Sequence, residues 1–387
     1  MKNNKIKYYP VNNGDTSLIT LEENATILID CNIRQGNSDS NENNIFNVKD
    51  DLINSIKKRK GNPFVDLFIL SHPDKDHCLG FKNNFYTGDP SNYSEYNKKN
   101  EEIVIDEIWV TSMLFKLELC DDANSIRNEV NRRKRLKGEE KDIRGNRLRL
   151  IGYDKNDKFS GVTQYTPGNE INRINNVKYK NFSLFIHAPF KQDLIDSHAN
   201  KERNQSSIVV QARFKDNESD IDHESFAIFG GDADHYRWKK ILEISENKGN
   251  SKYLKWDLFL APHHCSWTFF NDVPYEEREN QTPKDYILRL LKDYKEKNGK
   301  IIASSKKIKK EKPNPPHKAS KDEYIKKLES KSDFYELALN PNEKTPKPVE
   351  LFITNNGVTK STEKAKVAIT SGGASGAAST VVKNGNE

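Results

Sequence analysis

Long hydrophobic runs are missing from this sequence. Hydrophobic residues make up 34% of the 387 residues, and no stretch approaches the roughly eighteen apolar residues that a membrane-spanning helix needs. The opening Met-Lys-Asn-Asn-Lys is not followed by the apolar segment of a secretory signal. We therefore expect a cytoplasmic protein without a membrane partner. The apolar residues cluster in short runs, which predicts a folded core with long polar loops.

Cysteine is also scarce, which excludes a disulfide-rich scaffold. The four cysteines, Cys31, Cys78, Cys120 and Cys265, have neither the density of a disulfide framework nor the pairwise spacing of a cysteine metal site. We expect four free thiols in a reducing compartment.

The sequence also lacks a strong excess of either positive or negative charge. Lys and Arg number 63 against 57 Asp and Glu, a net charge of +6, which permits a nucleic-acid partner without indicating one. The cations concentrate in a predicted basic helical insert near residues 121–149. Candidate phosphate contacts there are Arg132, Arg133, Lys134 and Arg135. Since four consecutive residues run around a whole helix, a merely solvated helix is the alternative.

The most distinctive segment present is an apolar run that ends in histidines and aspartates. Residues 65–70 have the β-branched and aromatic character of a buried strand. His72, Asp74, Asp76 and His77 follow this run and together span six residues. Neighbouring carboxylates repel one another unless a cation neutralises them. The pattern therefore indicates a site for two divalent ions. A solvated acidic loop with incidental histidines is the alternative.

Two later segments repeat this arrangement of a short apolar strand followed by polar residues. Asp232 follows a strand and a Gly-Gly turn, and His263 and His264 lie at the end of the apolar strand that begins near Trp256. Asp234 and His235 are candidates as well, although an acid at the start of a helix is favoured by the backbone amides alone. His187 lies within an apolar strand, where a core histidine is favoured over a ligand.

These motifs carry a family resemblance. Ser71-His-Pro-Asp-Lys-Asp-His77 resembles the His-x-His-x-Asp-His motif of the metallo-β-lactamase superfamily, with Asp74 in place of the second histidine. This His-x-Asp-x-Asp-His form is similar to the soluble hydrolase domain of the ComEC competence-protein family. Other segments of the chain are similar to that family too, in the order Gly14-Asp-Thr-Ser17, Gly231-Asp232, Pro262-His-His-Cys-Ser266 and His317 before a last helix. Cys265 departs from the family's glycine.

The resemblance implies an α+β fold, a four-layer αββα sandwich with the metal site at one edge of its two sheets. It also implies two divalent ions, Zn or Mn, a bridging hydroxide as nucleophile, and Asp232 as the bridging carboxylate. The implied metal ligands are His72, Asp74, Asp76, His77, Asp232, His263 and His317, and the implied catalytic residues are Asp76 and His264. Which of His263 and His264 binds metal stays open.

The same resemblance gives the expected domain organisation. It spans residues 6–328, so we predict a hydrolase domain over residues 1–328 and a C-terminal extension over residues 329–387. Within the domain we expect a helix over residues 48–59. In the extension we expect a hairpin over residues 346–359 and a flexible Ala/Ser/Gly/Thr-rich tail over residues 365–387.

Three functions fit this sequence. A metal-dependent nuclease or phosphodiesterase, acting on DNA in preference, is favoured because the family is believed to degrade DNA and the chain adds basic segments. The first alternative is a metallo-hydrolase of a small ester, thioester or lactone, which would have an apolar pocket. The second is a metal-stabilised binding module.

Overall fold

The computed structural model describes residues 3–34, 46–115, 118–153, 159–195, 203–215, 224–272, 282–309, 314–354 and 357–360. The chain is a mixed α and β protein, as expected. The tail predicted over residues 365–387 lies outside the described residues. No helix in the described ranges has both the length and the apolar character needed to cross a bilayer.

The first sheet combines an antiparallel and a parallel half. Its order among the described residues is β19-β18-β1-β2-β3-β5-β6-β7-β8, with β4 paired to β5. From β3 onward the neighbours along this path are parallel. Its strands are β1 (Lys5–Tyr8), β2 (Ser17–Thr20), β3 (Thr26–Ile29), β4 (Lys57–Arg59), β5 (Asn62–Ile69), β6 (Val104–Val110), β7 (Arg147–Ile151), β8 (Thr163–Tyr165), β18 (Val349–Thr354) and β19 (Gly357–Lys360).

The second sheet has the order β17-β16-β15-β14-β13-β12-β9 among the described residues. β14, β15, β16 and β17 run parallel to one another, and β13 pairs antiparallel with β14. The strands of the second sheet are β9 (Glu170–Ile171), β12 (Phe182–Ala188), β13 (Val209–Lys215), β14 (Glu224–Phe229), β15 (Trp256–Leu260), β16 (Lys295–Ala303) and β17 (Phe334–Glu336). A separate small hairpin is formed by β10 (Arg173–Ile174) and β11 (Val177–Lys178).

Three apolar clusters explain how the elements pack. One holds residues of both sheets, such as Leu67 of β5 and Val210 of β13, so the sheets share a core. A second joins the first sheet to α1 and α5, and a third joins the second sheet to α7, α9 and α10. The helices are α1 (Val48–Ser55), α2 (Lys75–Cys78), α3 (Phe81–Asn84), α4 (Glu95–Lys99), α5 (Asp121–Arg135), α6 (Lys191–Ile195), α7 (His235–Asn247), α8 (Pro262–Cys265), α9 (Asp285–Asp293) and α10 (Lys318–Ile325).

The helix predicted over residues 48–59 is shorter in the structure. α1 ends at Ser55, and residues 57–59 form β4, which pairs antiparallel with the start of β5. Lys60 and Gly61, both with positive φ, make the turn between the two strands. The spacing of Leu52, Ile53 and Ile56 predicts a longer helix, but Ile56 has an extended backbone and ends it.

The strands after residue 328 belong to the same two sheets. β17 pairs with β16, and β18 pairs with β1. β18 and β19 also pair antiparallel with each other, which confirms the predicted hairpin, and this hairpin extends the first sheet. The predicted boundary at residue 328 stays a prediction.

The four cysteines are free thiols, as expected.

Candidate metal centre

The polar residues of the site lie at the carboxyl ends of neighbouring strands. Asp30 follows β3, residues 71–77 follow β5, Asp232 follows β14, and His263 and His264 follow β15. Since the carboxyl ends of parallel strands meet at one edge of a sheet, residues far apart in sequence come together there. The sequence-based expectation that these strand ends converge is therefore met by the geometry.

Asp232 is at the centre of the cluster, and its two carboxylate oxygens face different histidines. Oδ1 lies 3.1 Å from His77 Nε2 and 3.8 Å from His264 Nε2. Oδ2 lies 3.5 Å from His72 Nε2 and 3.7 Å from His263 Nε2. The Asp232 carboxylate thus lies between two pairs of histidine nitrogens, one pair near Oδ1 and the other near Oδ2.

Two carboxylates predicted as metal ligands, Asp76 and Asp74, lie beside these two pairs of histidine nitrogens. Asp76 Oδ2 lies 3.0 Å from His264 Nε2, beside Oδ1 of Asp232. Asp74 Oδ2 lies 3.9 Å from His72 Nε2, beside Oδ2. All four residues of the first motif are therefore brought to the centre.

The far side of each buried histidine ring is held by a polar group. Nδ1 of His77 lies 2.8 Å from Asp30 Oδ2, and Nδ1 of His72 lies 3.0 Å from Ser71 Oγ. Nδ1 of His264 has both the N–H of Gly14 and the carbonyl of Ser304 at 3.1 Å. In the tautomer that donates to Ser304, the Nε2 lone pair of His264 points to the carboxylates. Partners of this kind orient metal-binding histidines and raise their basicity.

Several inward-facing atoms are left unsatisfied, which tests whether a metal ion fits. Within the described residues, Asp15 Oδ1, His72 Nε2, His77 Nε2 and Asp232 Oδ1 are buried and have no hydrogen-bond partner. Each such atom costs about 1–3 kcal/mol. Ligand atoms of Asp15, His77, Asp232 and His264 all lie within 4.8 Å of one another. A buried set of nitrogen and oxygen atoms that needs a partner fits a divalent cation.

The ionisation states agree with a strongly coupled cluster. Burial would raise the pKa of Asp232, but the charges of His263 and His77 hold it well below its usual range. Burial would lower the pKa of His77, but Asp232 and Asp30 raise it well above its usual value. For Asp15, burial dominates and raises the pKa to about 6.

The turn that carries the two histidines is strained. His263, His264 and Cys265 have φ values of 49°, 53° and 65°, a left-handed conformation that costs about 1–3 kcal/mol for each residue other than glycine. The structure thus places Cys265 in the conformation that a glycine would adopt freely. Strain of this kind persists where the surroundings fix the backbone, and here the N–H of His263 donates to the Gly231 carbonyl at 3.1 Å.

The two histidines of this turn differ in exposure. The His264 side chain is 2% exposed and its Nε2 lies 3.0 Å from Asp76 Oδ2, whereas the His263 side chain is 24% exposed. His263 is held from the other side by Thr268, whose Oγ1 lies 3.2 Å from Nδ1.

His317 has its described contacts with the end of that turn. Its backbone N–H donates to the Cys265 carbonyl at 3.1 Å, and its Nδ1 accepts a hydrogen bond from Trp267 N at 2.8 Å. The side chain therefore stabilises the backbone after His264. Its implied role as a metal ligand stays a prediction.

The remaining candidates have structural contacts. Asp234 caps α7 by accepting from Arg237 N at 3.0 Å, and His235 contacts Tyr286. His187 is 3% exposed in the core, with Nε2 2.9 Å from the Tyr253 carbonyl. Burial lowers its pKa to about 4, as suits a neutral core histidine.

The basic residues of α5 have different surroundings from one another. Arg133 is 3% exposed; its guanidinium bonds Glu129 and the carbonyls of Arg147 and Ile105. Arg132 bonds Glu129 as well. Arg133 is therefore a buried structural residue, and the expectation that all four basic residues contact phosphates is corrected for it. Lys134 lies over the rings of Phe115 and Phe159, and Arg135 is exposed.

Sequence reasoning missed two carboxylates of the centre. Asp15 lies 3.8 Å from His264 Nδ1 and 4.0 Å from His77 Nδ1, and Asp30 holds both Ser71 and His77. Gly14 lets the backbone pass close to the site, since a Cβ there would lie 2.7 Å from the Asp76 carbonyl oxygen.

No family model matches the sequence, and no curated protein matches it.

Proposed function

We propose that this protein is a metal-dependent hydrolase that cleaves phosphodiester bonds in nucleic acid, DNA in preference, with two divalent ions bound at the candidate metal centre. The observation that carries the proposal is Asp232, whose two oxygens each face a separate pair of histidine nitrogens. A carboxylate placed in this way suits a bridge between two ions. A single structural ion would need only one of the two groups.

We further propose that the fold is the αββα sandwich of the metallo-β-lactamase type. The support is the pair of sheets with one shared core and the helices packed against each sheet through separate clusters. The strand ends that carry the site also lie at one edge, which agrees with the resemblance of the motifs.

The ligand sets follow from the two sides of Asp232. His72 and Asp74 would hold one ion with Oδ2, and Asp76, His77 and His264 would hold the other with Oδ1. Mixed nitrogen and oxygen ligands suit Zn²⁺ or Mn²⁺. Bound there, two such ions supply a nucleophile from water near neutral pH and neutralise charge on the oxygens of a phosphodiester.

The contacts favour His264 as a ligand and His263 as the residue nearer the substrate. His264 is buried against Asp76, whereas a quarter of the His263 side chain is open to solvent. This assignment exchanges the roles that the resemblance implied for the two histidines. His263 would then orient a substrate oxygen from the exposed side of the centre.

A nucleic-acid substrate is favoured by exposed lysines that are close in sequence to residues of the centre. Lys75 is exposed between Asp74 and Asp76, and Lys306 and Lys309 are exposed shortly after Ser304, whose carbonyl contacts His264. A phosphate backbone needs positive charge of this kind within reach.

The proposal is tested by incubating the purified protein with Mn²⁺ or Zn²⁺ and measuring cleavage of single-stranded DNA, double-stranded DNA, RNA and bis(p-nitrophenyl) phosphate. Parallel assays use a thioester, a lactone and a β-lactam. Cleavage of DNA and of the small phosphodiester, lost with a chelator and restored by metal, is the expected result. Turnover of an ester substrate alone would favour the small-molecule hydrolase instead.

Asp232→Asn and Asp234→Asn form a matched pair for this assay. The first substitution removes the charge that faces four histidines, so cleavage should fall by at least about a hundredfold. The second is expected to leave cleavage unchanged, because asparagine caps a helix as well as aspartate does. Equal activity in both variants would refute the proposed centre.

A further inference from the structure

A cleft lies at the carboxyl end of α5, between that helix, β7 and residues 160–163. Its volume is about 310 Å³, which is at the lower end of the range for small-molecule sites. None of the residues assigned to the metal centre lines it. The cleft is therefore a separate feature of the molecule.

Cations dominate the walls of this cleft. Beside the buried Arg133, four further cations face a single acid, and the floor includes apolar side chains. These residues are Lys134, Lys137, Lys141 and Arg149, with Asp142 as the acid and Leu148 and Val162 as apolar contacts.

The positive charge of the cleft is only partly neutralised by the protein. Arg133 is bonded to Glu129, and Arg149 lies 3.5 Å from Glu107 while its buried Nε has no hydrogen-bond partner within the described residues. Lys134, Lys137 and Lys141 form no ion pair in the part of the chain that the structure describes. Three ammonium groups around one cleft repel one another, so an anion bound among them would relieve that repulsion.

The cleft is far from the candidate metal centre. α5 begins beside α2, where Cys120 Sγ lies 3.7 Å from Cys78 Sγ, and its fifteen residues extend for about 22 Å at 1.5 Å per residue. The lining residues Leu148 and Arg149 are the second and third of the five residues of β7, whereas the centre lies at the carboxyl ends of the strands. A small ligand in the cleft could not touch the metal ligands.

We infer that this cleft binds a small organic phosphate, a phosphomonoester of about the size of a nucleotide. The lysines suit a doubly charged phosphate, since lysine binds phosphate as a point charge. Leu148 and Val162 offer apolar contact to the organic part, which a free inorganic anion would not use. The inference stands independently of the proposed hydrolase function, because the cleft shares no residue with the metal centre.

The test is isothermal titration of the full-length, metal-loaded protein with adenosine monophosphate, pyrophosphate and adenosine at low salt. Adenosine monophosphate is expected to bind saturably at one site per chain, and adenosine at least about tenfold more weakly, because it lacks the charged hydrogen-bond acceptor. The inference is overturned if neither phosphate probe binds saturably below about 5 mM.

A triple variant locates the binding. Lys134→Gln, Lys137→Gln and Lys141→Gln together should weaken adenosine monophosphate binding by at least about tenfold. The control triple changes three exposed lysines associated with the second sheet, Lys248, Lys252 and Lys297, to Gln, and should bind as the wild type does. Undiminished binding in the first triple, or an equal loss in both, overturns the inference. Should the first triple fail to fold, Lys137→Gln with Lys141→Gln, both fully on the surface, is judged by the same criteria.

Discussion

At the scale of single residues, the exposure of neighbouring histidines decides what each can do. His264 lies inside the centre against Asp76, while about a quarter of the His263 side chain is exposed. A buried nitrogen beside carboxylates suits a metal ligand, and a partly exposed histidine suits contact with a substrate.

The two alanine variants should therefore differ. His264→Ala removes a ligand and should lower the metal content by about one ion per chain, whereas His263→Ala should keep more of its metal yet lose at least about tenfold in turnover. Metal analysis and phosphodiesterase assays on both purified variants test this difference. Full metal content and wild-type turnover in both would show that the turn is not part of the centre.

A pH dependence follows from the environment of His77. In the metal-free protein, Asp232 and Asp30 raise its pKa well above the usual value, against the effect of burial. A metal ion must displace the proton that this raised pKa favours, so affinity should rise with pH until the pH passes the folded pKa of His77. Calorimetry in buffers of different ionisation enthalpy should detect net proton release at pH 7.

Protonation of His77 also stabilises the metal-free fold. The pH dependence of this stability has the opposite sign to that of the metal affinity. A raised pKa means that the stabilisation is fully present below the unfolded value of about 6.5 and is lost as pH rises through the folded value. Metal-free protein should then become less stable toward alkaline pH, while metal affinity increases. Binding without proton release at pH 7 would contradict the assignment of His77.

The strand-end rule accounts for which site residues the sequence revealed. His72, Asp74, Asp76 and His77 form a dense polar motif after an apolar strand, so they were visible. Asp30 also ends an apolar strand, and β3 is parallel to β5 with Ile29 beside Ile69. A lone aspartate gives no motif of its own, however, and only the pairing of the strands places it beside Ser71 and His77.

At the scale of elements, α5 has a buried face that is hard to recognise in the sequence because the helix carries many charged residues. Ala123, Ile126 and Val130 lie in the core cluster of the first sheet, and Arg133 continues their spacing of three or four residues. The arginine therefore points inward, where Glu129 and two backbone carbonyls satisfy it. That spacing was readable in the sequence, but a charged residue on an apolar face is normally assigned to solvent.

Removing this buried arginine should destabilise the fold. Arg133→Ala leaves Glu129 without one buried partner and should lower the free energy of unfolding by about 3–5 kcal/mol. Arg135→Ala, on the exposed side of the same helix, should change it by less than about 0.5 kcal/mol. Urea denaturation of both variants measures the difference, and equal stabilities would mean that α5 is oriented differently.

At the scale of the whole molecule, the C-terminal hairpin completes the core. β18 pairs with β1, and Val349, Leu351 and Ile353 join the cluster shared by the two sheets. The turn signal Asn355-Asn-Gly in the sequence predicts the hairpin. The sequence alone gives no information on which strand it would join, because that contact spans more than three hundred residues.

A core substitution in β18 should therefore affect the entire fold. Leu351 is fully buried, and Leu351→Ala should lower the free energy of unfolding by about 2–5 kcal/mol. Glu350→Ala removes only a partly exposed ion pair with Lys5 and should cost less than about 1 kcal/mol. A small effect of Leu351→Ala in thermal or urea denaturation would indicate that the hairpin is dispensable.

The central claim, a two-metal centre organised by Asp232, is tested most directly by counting bound ions. The wild type and the Asp234→Asn control should each retain two Mn²⁺ or Zn²⁺ per chain after reconstitution and removal of free metal, as measured by inductively coupled plasma mass spectrometry. Asp232→Asn should retain one at most, because both ions lose a shared anionic ligand. A wild-type protein that retains no ion, or an Asp232→Asn variant that still holds two, would contradict the account.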